Sequence, residues 1–193
     1  MVYQRGRSKR VKSGSEESFE ANEGRPRPVK DKPQPSPERL EQRARNVLLY
    51  QLAKSAKSKQ QLREILEKRE IPTEIAEPIL ERFTEVGLID DQAFAATLVS
   101  SRRAFRGLSK SAIRQELKTK GVEPQVIETA LETVSTEDEL QSAQELALKR
   151  FNQMSHLDKT TRDRRLAGFL QRKGYSSSVT FAAIRWAESQ ELK

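Results

Sequence analysis

The residue types that carry chemistry are scarce in this chain, and those present lack partners. His156 is the single histidine, and there is no cysteine. A Ser-His-Asp triad, a metal site built on histidine or thiolate, a disulfide and a cysteine nucleophile are therefore all short of parts. His156 reads as a loop residue in the turn Met154-Ser155-His156-Leu157-Asp158. Asp90 and Asp91 are an adjacent carboxylate pair, but neighbouring side chains diverge, so helix capping is the expected role and not magnesium binding. The eight glycines are dispersed and form no phosphate-binding loop. The expectation is a protein that is not an enzyme and uses no cofactor or metal.

What the chain does carry is positive charge at helical spacing. Its 193 residues hold 36 Lys and Arg against 28 acids, a net charge of +8. Lys110, Arg114 and Lys118 stand four apart and form one stripe beside the apolar Ile113 and Leu117. Arg102, Arg103, Arg106 and Lys120 surround them, opposed only by Glu116. A stripe of this kind touches phosphates or an acidic protein groove without burying itself, and nothing in its spacing reads bases. Three aromatics are conceivable stacking groups. Tyr175 sits at an apolar repeat position and reads as core, and Phe105 as core or end packing; Trp186 stays undecided.

The elements that position these charges are helices. Hydrophobic residues make up 35% and charged residues 33%, lean for a deep core and suited to thin layers of helices. Alternation typical of strands and hairpin turn dipeptides are missing. Residues 1–37 hold five prolines, glycine, serine and mixed charge, and read as a disordered basic, proline-rich tail. Beyond it Leu62, Ile113 and Leu166 are the anchors of a recurring pattern, 51 and 53 residues apart. Leu66, Leu117 and Leu170 follow four residues on, then Glu70, Gly121 and Gly174, then Ile71, Val122 and Tyr175.

The pattern predicts an all-α fold: an elongated tandem array of three three-helix repeats at 38–90, 91–136 and 137–193. The helices are expected at about 39–55, 58–69 and 72–86, then 91–105, 109–120 and 124–134, then 137–153, 160–173 and 176–190. Gly87 and Gly121 supply left-handed stops, and Ser109 a cap. Ser58 with Gln61 and Thr136 with Glu139 fit capping boxes, and Pro124 fits a first helical position. No apolar run approaches the roughly 20 residues of a membrane span. A cytoplasmic, monomeric protein without a membrane partner is expected.

Charge follows the same period. Residues 39–69, 102–120 and 149–173 each carry +6, whereas 70–91 carry −6 and 121–148 carry −7. If the repeats stack in one orientation, their cationic helices align along one side and concentrate positive potential for a long polyanion. Two kinds of protein fit: a regulator that docks on an acidic, polymeric assembly, and a nonspecific DNA- or RNA-binding helical repeat that needs no protein partner. The acidic third helices favour the first.

One stretch carries more than a period. Gly87-Leu-Ile-Asp-Asp-x-x-Phe-Ala, then Arg102-Arg103, then Ile113-x-x-Glu116-Leu117-x-x-Lys120-Gly121-Val122 resembles the RecX family of recombinase regulators. The resemblance covers about residues 39–190, with Glu70 departing from the glycine of the later repeats. It implies a tandem three-helix-repeat protein that binds the RecA–single-stranded DNA filament and inhibits filament extension, ATP hydrolysis and strand exchange, in the setting of recombination and DNA repair. The expected binding residues are Arg102, Arg103, Arg106, Lys110, Arg114, Lys118 and Lys120, with Arg162 and Arg165 in support.

Overall fold

The computed structural model describes residues 36–191, all within one compact unit spanning Pro35–Lys193. The expected tail, but for its last two residues, lies outside the described residues. Among those described there are nine α-helices and no strand. They are α1 (Pro37–Lys54), α2 (Lys59–Glu67), α3 (Thr73–Glu85), α4 (Asp91–Ser101), α5 (Lys110–Thr119), α6 (Pro124–Glu132), α7 (Thr136–Asn152), α8 (Lys159–Arg172) and α9 (Ser177–Glu191). None of them is long and apolar enough to cross a membrane.

The helices group in threes because three separate apolar clusters exist. Leu48, Leu62, Leu66 and Leu80 centre the first, and Ile113, Leu117, Ile127 and Leu131 the second. Phe151, Leu166, Leu170 and Tyr175 centre the third. Each cluster draws on the inward stripe of its own three helices, as apolar residues recurring at three and four positions require. Trp186, left open above, is partly buried against the third cluster.

Local chemistry fixes the ends. Ser58 and Gln61 form the expected capping box at α2. The Ser109 hydroxyl accepts from the Ala112 N–H at α5, and Pro124 opens α6. The box before α7 lies one residue earlier than the sequence suggested: Ser135 and Asp138 form it, not Thr136 and Glu139. The expected helix 91–105 also divides. After Ser101 the chain widens into a π-helical turn, Arg102–Arg106, which Gly107 ends at φ 56°. That turn leaves Phe105 87% exposed, so the expectation of core or end packing fails there.

Candidate functional site

The second helix of each module is where the sequence concentrated charge, and these helices meet end to end. At the first joint the Ser58 hydroxyl donates to the Lys120 carbonyl at 2.5 Å. Beside it the Lys59 N–H donates to Asp91 Oδ1 at 2.8 Å. The second joint repeats the arrangement one module on. The Ser109 N–H donates to the Lys173 carbonyl at 3.0 Å, and the Lys110 N–H donates to Glu139 Oε1 at 2.9 Å. The start of α2 thus rests on the stop of α5, and the start of α5 on the stop of α8. An acid from the next module's first helix satisfies an otherwise free N–H at each start.

Asp90 and Asp91 therefore divide their work. Asp90 caps α4 through the Ala93 N–H at 2.8 Å, while Asp91 caps α2 of the preceding module. Burial pushes the Asp91 carboxyl above its ordinary range, against the downward pull of the Lys59 hydrogen bond. Among the described residues no group of three or more His, Cys, Asp or Glu is placed to hold a metal.

A second recurring device joins helices within a module. Arg63 of α2 grips Glu77 of α3 through Nε and Nη2, at 2.5 and 2.9 Å. Its repeat equivalent Arg114 grips Glu128 of α6 at 2.7 and 2.8 Å. Part of the alternation in sign is thus an internal fork-on-fork pairing between second and third helices. In the third module these positions are Ala167 and Phe181, and the device is absent.

The nine expected binding residues are placed very differently from one another. Arg102 is held by Glu116 through two bonds of 2.7 and 2.6 Å, with both side chains 23% exposed. These bonds hold the Glu116 carboxyl below the usual carboxylate range. Arg103 crosses to the third module, donating to the Asp138 carbonyl and to Ser142 Oγ at 3.3 Å each. Lys110 Nζ donates to the Val134 carbonyl at 2.9 Å. Lys120 lies 4.0 Å from Glu116, and Arg114 is in the pairing just described. Arg162 is 8% exposed, its guanidinium 3.9 Å from the centre of the Phe151 ring. Of the nine, Arg106, Lys118 and Arg165 are exposed, and the other six are half-buried or buried.

The region 102–110 is thereby also the seam between modules two and three. Lys173 Nζ donates to the Arg106 carbonyl, and the buried Tyr175 hydroxyl donates to the Gly107 carbonyl at 3.3 Å. Burial pushes the Tyr175 hydroxyl up to about 12.

Three successive stretches of the chain match the described domains of one family. They are the first three-helix domain of RecX over residues 44–83, the second over 90–131 and the third over 137–184. The regulatory protein RecX of Streptomyces coelicolor is 44% identical over 161 residues, spanning 83% of this chain and 85% of that one. The chain belongs to the RecX family. Regulatory protein RecX of Thermobifida fusca is 37% identical over 150 residues, covering 78% of this chain and 81% of its own. The crystal structure of RecX from Lactobacillus salivarius superposes with a TM-score of 0.69 over 77% of this chain and 97% of that one; at 19% identity it bears on the fold alone. A second crystal structure, of regulatory protein RecX, gives 0.67 at 29% identity, over 77% of this chain and 73% of that one.

Helical spacing alone does not show which cations of this chain are already engaged. The signal was present: Arg63 and Glu77 recur as Arg114 and Glu128 at the same separation of fourteen. The end of the array departs from the period. Counting back four from the anchors gives Ser58, Ser109 and Arg162. The two serines cap helices at joints, whereas α8 begins a turn earlier at Lys159, capped by Asp158 through the Thr161 N–H.

Proposed function

We propose that this protein restrains a RecA-type recombinase, binding its filament on single-stranded DNA and limiting filament extension, ATP hydrolysis and strand exchange. Membership of a family of regulatory proteins supports the class of function. The observation that carries the reading further is a recurring joint: at the start of each of the first two second helices a serine donates to a lysine carbonyl of the next module, through its hydroxyl at Ser58 and its N–H at Ser109, and the following lysine N–H donates to an acid of that module's first helix. A body that repeats by a fixed step matches a target that repeats, and each module then meets an equivalent face of the polymer.

In this reading the protein acts as a cytoplasmic monomer by occupation and not by catalysis. Arg106, Lys118 and Arg165 are its exposed cations from the expected set, with Phe105 beside Arg106 as an apolar contact. Arg102, Arg103, Lys110, Arg114, Lys120 and Arg162 fix the surface that presents them. The decisive measurement is recombinase ATPase activity on single-stranded DNA as this protein is titrated in. Inhibition below the concentration that saturates bare strand is expected. Equal affinity for bare and recombinase-coated strand at one salt concentration would favour a nonspecific nucleic-acid-binding repeat instead.

A further inference from the structure

Four arginines of the third module surround one open cleft with no carboxylate in its lining. Arg150, near the end of α7, faces Arg164, Arg165 and Arg172 of α8 across a space of about 610 Å³. Among the described residues none of these four guanidiniums is in an ion pair. Arg150 donates to Gln153 Oε1 at 2.9 Å, a contact that positions it without neutralising it. Cations gathered in this way repel one another until an anion arrives.

Two neighbours point to a built site. Gly168 lies in the interior of the fourteen-residue α8, where glycine is among the least favourable residues. It lines the cleft, and a Cβ there would meet the Arg172 guanidinium at 3.3 Å. A side chain there would shift that guanidinium by a few tenths of an ångström from its present place over the cleft. Phe169 carries the Arg150 guanidinium 5.8 Å and the Lys173 ammonium 5.5 Å from its ring centre. Both distances are within cation–π range, so the ring serves to hold charges and is not left free for a base.

We propose that this cleft binds the sugar–phosphate backbone of a single-stranded nucleic acid, engaging about two successive phosphates without reading the bases. Guanidinium forks match pairs of phosphate oxygens. Arg164 to Arg172 spans eight residues of helix, about 12 Å, more than one phosphate can bridge. The proposal rests on the filament reading only for the choice of a strand over an acidic peptide.

The test is fluorescence anisotropy of the full chain with an oligo-dT strand and with an abasic strand of the same length. Arg165→Glu and Arg172→Glu are each expected to weaken both strands about tenfold or more, with an unchanged melting temperature. Arg82→Glu, on α3, controls for net charge and is expected to have little effect. Neutral Arg172→Gln should flatten the log-affinity against log-salt slope by about 0.7. Gly168→Ala is expected to raise the melting temperature while weakening binding, an opposition that a folding defect cannot produce.

Unchanged affinity in both charge reversals overturns the proposal, and a strong preference for oligo-dT over the abasic strand overturns the backbone-only mode. Competition by poly-glutamate at equal charge concentration overturns the choice of ligand. Recombinase ATPase measured alongside separates the two ideas. Strand binding without any inhibition by the wild-type protein removes the filament reading and leaves the cleft standing.

Discussion

The second module is held from both sides, and its neighbours from one side each; residues at equivalent positions differ accordingly. The stops of α5 and α8 are Lys120-Gly121 and Lys173-Gly174, and each receives the start of another helix. A Cβ at Gly121 would run into the Gln60 side chain, and one at Gly174 would lie 2.5 Å from Ser109 Oγ and 2.7 Å from Ala112 Cβ. Among the described residues no helix start rests on the stop of α2, and there the chain places Glu70 in the same left-handed conformation, φ 59°. Positive φ alone did not demand glycine; the neighbour did. Charge divides in the same way. Residues 102–120 and 149–173 carry equal net charge. In the middle module Arg102 and Arg114 are tied to glutamates, whereas in the terminal module four arginines stand around an open cleft.

The largest effect should follow from filling a joint. Gly174→Ala adds left-handed strain to a clash with Ser109 and Ala112, and is expected to destabilise the protein by about 2–4 kcal/mol. At about 2–4 °C per kcal/mol for a chain of this size, thermal melting reads it directly. A change below 0.5 kcal/mol would mean that the joint is loose and that the glycine serves φ only.

Much of this fold was legible from the sequence because apolar periodicity and stop signals act locally. The three anchors, the caps Ser58 and Ser109, and the left-handed stops are all set by residues within a few positions of one another. Gly121 was legible as a stop and Gly174 as its repeat equivalent, but the second reason for each lies 61 and about 65 residues away, in Gln60 and in Ser109 with Ala112. The binding surface was less legible for a related reason. Spacing shows where Arg102 and Arg114 sit on a helix, but not whether an acid on another helix has taken them. Arg162 is the sharpest instance: it reads as one cation among eight in its stretch, and it is buried over Phe151.

The next effect sets the tied arginines against the free ones. Glu116→Gln leaves a mostly buried Arg102 without its charged partner and is expected to cost about 1–2 kcal/mol. Arg172→Ala, on the exposed side of α8, should change stability by less than about 0.5 kcal/mol. Equal losses from the two would erase the distinction between modules. Denaturant midpoints at constant slope make the comparison.

Acid should sharpen it. The carboxyls of Glu77 and Glu116 are held below their ordinary range, chiefly by hydrogen bonds from Arg63 and Arg102. Groups with a depressed folded value contribute stability above the unfolded carboxylate range, and that contribution is lost as pH falls through the folded value. Melting temperature should therefore fall on going from pH 6 to pH 3, and fall less steeply in Glu116→Gln. An identical slope in wild type and variant would show that this pair is not a source of the acid sensitivity.

The smallest effect has the opposite sign and bears on the free end. Glu70 is exposed, at a left-handed backbone position that costs a side chain roughly 1 kcal/mol or more. Glu70→Gly relieves that strain but adds freedom to the unfolded chain, so a net gain of about 0.5 kcal/mol is expected. The same exchange at a joint, run in reverse as Gly121→Glu, is expected to be strongly destabilising because the Gln60 side chain already fills the space. A loss of stability in Glu70→Gly would mean that its side chain does structural work at this end, and that the contrast between end and joint rests on more than the presence of a neighbour.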